Sequence, residues 1–196
     1  MAGLQFLSDL RNRYQVAPTQ QVLDKGGGSQ KMFQQGKMAM YIDGPWSAAG
    51  NKPAIQNRFE WDVAPLPHEP NTQPGETAIS NCLTILSGGK HKDDAWRVVK
   101  HWISPQVQEL HAIVPDETPS RRSSLPIINK VPPPPKNMSV FVDGFAHSIS
   151  IIHTPVYDEM QKEILDALAP VWDGKQTAQD AIVSLTPKIN SLLQSK

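Results

Sequence analysis

The apolar positions along the chain fall mainly into helical periodicities. Leu4, Leu7 and Leu10 recur at the spacing of one helix face and predict a first helix over about 2–14. A loop is expected from there to about residue 28. The same pattern, with its capping signals, predicts further helices over about 29–36, 44–59 with a break near Pro53, 92–104, 105–113, 138–148, 154–173 and 177–193.

Shorter apolar runs at 37–43, 60–67 and 77–87 predict strands. The run "KMAMYID" (37–43) alternates little between apolar and polar residues, which is typical of a strand covered on both faces. Helices dominate, and strands and helices do not alternate strictly. The pattern therefore predicts a helix-rich α/β fold that corresponds to part of a doubly wound domain.

The tryptophans of this chain occupy two kinds of position in the pattern. Trp96, Trp102 and Trp172 lie at apolar helix positions, where core packing is the expected role. Trp46 instead follows the turn Asp43-Gly44-Pro45 at the carboxyl end of a predicted strand. In open α/β sheets ligands bind at such ends, so the local sequence leaves both a core role and a ligand contact open for Trp46.

Charge and cysteine content restrict the classes of function that the chain can have. The 19 Lys and Arg residues balance the 19 Asp and Glu residues, which argues against a nucleic-acid partner because such proteins usually present a basic face. The single cysteine, Cys82, excludes an intrachain disulfide and a multi-cysteine metal site, and its apolar surroundings predict a buried thiol. The first residues lack the order of apolar and small residues that marks a signal peptide.

No pattern of catalytic residues is evident. The six histidines include no pair with zinc-ligand spacing, and no G-x-S-x-G motif is present. The acidic pairs at 93–94 and 116–117 fit a helix N-terminus and a solvated loop. The sequence therefore predicts no catalytic residue, no metal site and no cofactor.

Several motifs in order resemble the C-terminal half of bacterial extracellular solute-binding proteins of family 1. These motifs are "FQQGKMAMYIDGPWS" (33–47), "FEWDVAPLP" (59–67), "KHKDDAWRVVKHWISPQVQ" (90–108), "TPSRRS" (118–123) and "DGKQTAQDAIVSLTPKIN" (173–190). The family includes maltose-binding protein and other carbohydrate receptors of ABC importers. The resemblance runs from about residue 4 to the end of the chain.

The resemblance implies a partial periplasmic-binding-protein type II fold, an α/β fold in which two lobes close on a ligand. Residues 1–75 would be part of the C-terminal lobe. Residues 78–125 would hold the crossings between lobes and helices of the N-terminal lobe, and 126–196 the remainder of the C-terminal lobe. Family members are longer, so the chain would be truncated, with most of the N-terminal lobe missing.

The resemblance also implies a ligand site and a function. Trp46 takes the place of the aromatic that stacks on a sugar, with Gly44 and Pro45 forming its turn and Asp43 placed to meet hydroxyl groups. Backbone N–H groups after this turn could add donors. Arg121 matches a position that reaches the ligand in some relatives, and Tyr157 is the one nearby substitute for a second stacking aromatic.

The function implied is that of a non-catalytic substrate-binding component of an ABC importer, taking a carbohydrate or sugar-phosphate and docking on a permease. The full-length parent would be periplasmic or anchored outside the membrane. The alternative is that the isolated fragment binds no solute and acts as an interaction module through helices at 92–113 and 177–193.

Overall fold

The computed structural model describes residues 2–72, 75–113, 117–151 and 153–194, and helices dominate these residues. The α-helices are α1 (Ala2–Asn12), α2 (Gln20–Gly26), α3 (Ser29–Gln34), α4 (Trp46–Ile55), α5 (Lys92–Trp102), α6 (Pro105–Ile113), α7 (Val140–Asp143), α8 (Tyr157–Trp172) and α9 (Ala178–Gln194). Two 3-10 helices span Arg122–Lys130 and Gly144–His147, and two short strands are β1 (Thr77–Ala78) and β2 (Ile149–Ser150). The predicted helices are thus largely confirmed, with α6 matching its predicted bounds.

Helix α2 was not predicted, because residues 14–28 read as a loop. Its boundaries nevertheless carry ordinary signals. The Thr19 side chain accepts a hydrogen bond from the Val22 N–H at the start, and Gly27 has a left-handed φ of 79° at the end. A helix of seven residues is too short for apolar periodicity to reveal it.

The chain divides into two compact units, one formed by 1–29 with 152–196 and the other by 30–151. These boundaries differ from the three predicted segments, and the assignment of those segments to lobes stays a prediction. In the first unit, α1 packs on α8 and α9. The core there comprises Leu168, Val171, Ala178 and Ala181, with Leu4, Ile164 and Trp172 against it.

Polar side chains on α1 hold the junction between α8 and α9. The Ser8 hydroxyl donates to the Val171 carbonyl at 2.8 Å, and Asn12 Nδ2 donates to the Trp172 carbonyl at 3.3 Å. At the start of α9, Gln5 Oε1 accepts from the Ala178 N–H at 3.0 Å. One face of α1 therefore supplies partners to backbone groups that a helix end leaves unpaired.

In the second unit, α6 packs on the 3-10 helix Arg122–Lys130. Its core comprises Ala112, Ile127, Ile128 and Met138, with Val131, Phe141 and Val142 packed against it. A separate aromatic group surrounds Phe33, whose ring centroid lies 5.0 Å from Tyr41, 5.7 Å from Phe59 and 6.5 Å from Trp61. This group joins α3 to the segments that flank α4.

The predicted strands are mostly wrong. Within the described residues, segments 37–43 and 60–67 form no strand, and 77–87 is reduced to β1, which pairs in parallel with β2. A strand exists only through hydrogen bonds to a neighbouring strand, and these segments have no such neighbour in the described chain. Consistently, Met40 and Ile42 are 84% and 68% exposed.

The predicted core role is also wrong for two tryptophans and for Cys82. Trp96 and Trp102 are 49% and 44% exposed, and Cys82 is exposed, whereas Trp172 packs against the core of the first unit. Helix α5 has an apolar face, but it packs only weakly on α6, and no residue of α5 is buried. Periodicity identifies the apolar face of a helix but not whether anything covers it.

A carboxylate clamp connects the 60–67 segment to the loop at 135–138. Asp62 Oδ1 accepts hydrogen bonds from the backbone N–H groups of Val63 at 2.9 Å, Lys136 at 2.9 Å and Asn137 at 3.0 Å. Partial burial raises the pKa of Asp62, but these N–H groups and the Lys136 charge outweigh it. The pKa therefore lies below its ordinary value of 3.8.

We expect Asp62 to stabilise the fold in its ionised form only. Because its pKa is lower in the folded than in the unfolded state, this stabilisation is present above about pH 4 and is lost as the pH falls through the folded-state pKa. Asp62→Asn should lower the free energy of unfolding by on the order of 1 kcal/mol at pH 7, since the carboxylate is exposed and partly screened. Urea unfolding between pH 6 and pH 2.5 measures this difference.

The difference between wild type and Asp62→Asn should shrink towards zero at the acid end of that range. Glu60→Gln is the control, because it neutralises a carboxylate of the same segment that makes none of the three bonds. A difference that stays constant with pH would contradict the clamp.

Candidate functional site

The turn at residues 43–46 is closed by its own polar groups. Asp43 Oδ1 accepts from the Gly44 N–H at 2.8 Å, and the Ser47 hydroxyl donates to the Gly44 carbonyl at 2.9 Å. The Gly44 carbonyl also accepts from the Ser47 N–H, and the Pro45 carbonyl accepts from the Ala48 N–H. Of the backbone donors after the turn, which the sequence suggested for a ligand, those of Ser47 and Ala48 are therefore engaged within the chain.

The Trp46 indole lies against Gly44. A Cβ atom built on Gly44 would fall 2.2 Å from both Cη2 and Cζ3 of Trp46, far inside van der Waals contact. Gly44 is not among the residues with positive φ, so its backbone conformation does not require glycine. In this conformation of Trp46 the indole occupies the space where a side chain at position 44 would be, so a larger residue there would displace the ring.

The indole remains 50% exposed, although tryptophan is a costly side chain to leave in water. The core role that the sequence left open for Trp46 is therefore wrong. One part of the ring system lies against Gly44, and the same turn carries the exposed Asp43 carboxylate. An apolar surface next to a hydrogen-bonding group suits a ligand with both kinds of surface, such as a sugar ring.

Helix α3 holds the start of α4 through glutamine side chains. Gln30 Nε2 donates to the Ser47 carbonyl at 3.0 Å, and Gln34 Nε2 donates to the Gly50 carbonyl at 3.2 Å. Both amides also reach the buried Asn51. Sequence reasoning missed these supporting residues, although the spacing of two glutamines four residues apart places them on one face of α3.

The other predicted site residues, Arg121 and Tyr157, belong to other elements of the chain. Arg121 is exposed and donates from Nε to the Ile103 carbonyl at 2.7 Å, just beyond the C-terminus of α5. A cation at that end of a helix is a favourable structural placement. Tyr157 is half-buried at the first position of α8 and belongs to the first unit, whereas Asp43, Gly44, Pro45 and Trp46 belong to the second.

Metal-binding clusters and membrane-spanning helices are absent from the described residues. No group of three or more His, Cys, Asp or Glu side chains is arranged to hold a metal ion there. None of the helices found in that part of the chain combines the length and apolar character needed to cross a membrane. Asp116, one of the acidic residues considered from the sequence, lies outside the described residues.

We expect Gly44→Ala to displace the Trp46 indole without unfolding the chain. The added methyl group would overlap the ring, and the half-exposed indole is free to rotate into solvent. Acrylamide quenching of tryptophan fluorescence, with the signal of the matching Trp46→Phe variant subtracted, should show a more accessible Trp46.

Gly88→Ala is the control, since a Cβ there meets no atom within 4 Å. An unchanged quenching constant for Trp46 in Gly44→Ala would show that the indole does not rest on Gly44.

Comparisons with known proteins agree with the predicted family. The family model described as bacterial extracellular solute-binding protein matches residues 7–109. Among solved structures, the chain is similar to the maltose-bound MalE3 protein of T. maritima, with 21% sequence identity and a TM-score of 0.78. The similarity covers 97% of this chain and 49% of the MalE3 chain. No curated protein sequence matches the chain.

The structural similarity confirms the predicted fold class, a helix-rich periplasmic-binding-protein fold represented over about half the length of the relative. The family match covers more than half of the chain and includes the turn that carries Trp46. The chain therefore belongs to the bacterial extracellular solute-binding protein family, which consists of binding proteins and not of enzymes.

Proposed function

We propose that this chain carries part of the ligand site of an ABC importer's substrate-binding protein and that the ligand is a carbohydrate or sugar-phosphate. The observation that supports this most strongly is the half-exposed Trp46 indole, which lies against Gly44 at the start of α4. An exposed indole offers a flat apolar surface that matches the C–H face of a sugar ring. The maltose bound to MalE3 is a property of that protein and guides the choice of probe here.

The polar residues have distinct roles in this proposal. Asp43 uses Oδ1 for the Gly44 N–H, so its second carboxylate oxygen, Oδ2, would accept hydrogen bonds from sugar hydroxyls. Arg121 would pair with an anionic group if the ligand is a sugar-phosphate. It would use guanidinium N–H groups other than the Nε–H that it donates to the Ile103 carbonyl. Tyr157 would add a second aromatic contact.

The complete site would need more protein than this chain supplies. The chain spans about half the length of the MalE3 structure, and we propose that its full-length parent adds a second lobe that encloses the ligand. The parent would act in the periplasm or at the outer face of the membrane and deliver its ligand to an ABC permease. In that protein, residues 78–125 would hold the crossings between the lobes and helices of the N-terminal lobe.

Replacing the indole should weaken carbohydrate binding by the full-length parent. Trp46→Ala removes the stacking surface, and we expect the Kd for maltose to rise at least about fivefold, equivalent to about 1 kcal/mol. Trp46→Phe, which keeps an aromatic face, should retain most of the affinity. Titration calorimetry with maltose measures both, and an unchanged affinity in Trp46→Ala would contradict the proposal.

An interaction module is the second candidate, and the exposed apolar face of α5 favours it for the isolated chain. This face comprises Ala95, Trp96, Val99, Trp102 and Ile103, and its two tryptophans and Ile103 are exposed. Monomeric proteins rarely expose a contiguous apolar surface of this kind. In the parent the second lobe would cover it, whereas in isolation a second copy of the chain is the available partner.

We expect the isolated chain to self-associate through the α5 face. Sedimentation equilibrium should show dimers or larger species at micromolar concentration, and Trp96→Glu together with Trp102→Glu should restore the monomer. Val16→Glu, which changes a 72% exposed apolar residue outside both helices of the proposed module, should not. A wild-type chain that sediments as a monomer would argue against an adhesive α5 face.

A further inference from the structure

Asn51 is the most deeply buried polar side chain close to the Trp46 turn. It lies five residues after Trp46 in α4 and is 2% exposed. Its Nδ2 donates to the Tyr41 hydroxyl at 2.7 Å, and its Oδ1 accepts from Gln34 at 3.2 Å and from Gln30 at 3.4 Å. The buried amide therefore uses both its donor and its acceptor group.

These bonds reach the turn from both ends. Tyr41 lies just before Asp43, so its bond to Asn51 ties the incoming segment to α4. Gln30 donates also to the Ser47 carbonyl, which directly follows Trp46. Asn51 thus stands at the centre of a network that fixes the backbone on both sides of the indole.

The packing around Gly50 independently indicates that this network is closely fitted. A Cβ on Gly50 would lie 2.9 Å from Gln30 Nε2, so a larger residue there would push the glutamine amide out of place. Glycine is a poor residue for a helix interior. At position 50 it leaves the Gln30 amide in its place beside α4.

We propose that Asn51 is a positioning residue for Trp46: it contacts no ligand itself but holds the turn so that the indole stays against Gly44. The consequence for ligand binding rests on the proposed function, whereas the effect on the indole does not. A role in stability alone would give a different result, because loss of Asn51 would then lower stability and leave the Trp46 environment of the folded protein unchanged.

The test uses protein labelled with 5-fluorotryptophan, whose 19F spectrum contains one resonance for each of the five tryptophans. Trp46→Phe assigns the Trp46 resonance. Asn51→Leu, which keeps the branching and the number of side-chain heavy atoms and removes all three hydrogen bonds, should move the Trp46 resonance by more than its linewidth and leave that of Trp172 in place. Asn51→Asp should restore it, because a carboxylate accepts from both glutamines and from the Tyr41 hydroxyl.

Asn81→Leu is the matched control, since it removes an exposed amide that bonds to Glu117 and should leave the Trp46 resonance unchanged. If Asn51→Leu does not fold, Tyr41→Phe decides, because it removes one hydroxyl from the same network. A Trp46 resonance that stays at its wild-type position in the folded variant overturns the positioning role.

Maltose titration of the full-length parent separates this inference from the proposed function. If wild type binds maltose, Asn51→Leu should raise the Kd at least about threefold without Asn51 touching the sugar, and an unchanged Kd overturns the link to binding. If wild type does not bind maltose while the 19F resonance moves as expected, the positioning role stands and maltose is not the ligand.

Discussion

The contact between the Trp46 indole and Gly44 is the constraint on which the candidate site depends. The ring occupies the volume in which any other residue would place its side chain, so the two positions act as one unit. Since half of Trp46 is still exposed, the contact leaves an apolar surface open to solvent. The surrounding bonds from Asp43, Ser47 and the glutamines of α3 hold the backbone that makes this contact possible. The turn that carries the indole is thereby ordered before a ligand binds, which favours binding because less backbone entropy remains to be lost.

The helices could be predicted from the sequence because their signals are local. Apolar spacing and caps lie within each segment, as at the start of α9, where Thr177 Oγ1 accepts from the Asp180 N–H at 3.1 Å. The strands could not be predicted in this way. An apolar run at 37–43 or 60–67 shows suitability for a sheet, but pairing depends on a neighbouring strand that no local signal supplies. The same holds for α5. Its periodicity identifies an apolar face but does not show whether another element packs against that face.

Some residues of the candidate site could be predicted from the sequence and others could not, for related reasons. The turn Asp43-Gly44-Pro45-Trp46 could be singled out from its sequence and from the family resemblance. The reason for Gly44 could not, because a glycine beside proline is usually interpreted as a turn residue and only the structure shows the indole beside it. Asn51 and the clamp at Asp62 were missed because their partners are distant in sequence or are backbone groups. Single polar residues carry no pattern that announces such partners.

In the proposed function, a carbohydrate stacks on the Trp46 indole. The most direct measurement is the 19F spectrum of the full-length parent labelled with 5-fluorotryptophan, recorded while maltose is added to saturation. Among the tryptophans of this chain, we expect the Trp46 resonance to change as maltose binds. The resonance of Trp172, which packs against the core of the first unit, should stay in place. Saturable maltose binding that leaves the Trp46 resonance unmoved would contradict the proposed stacking.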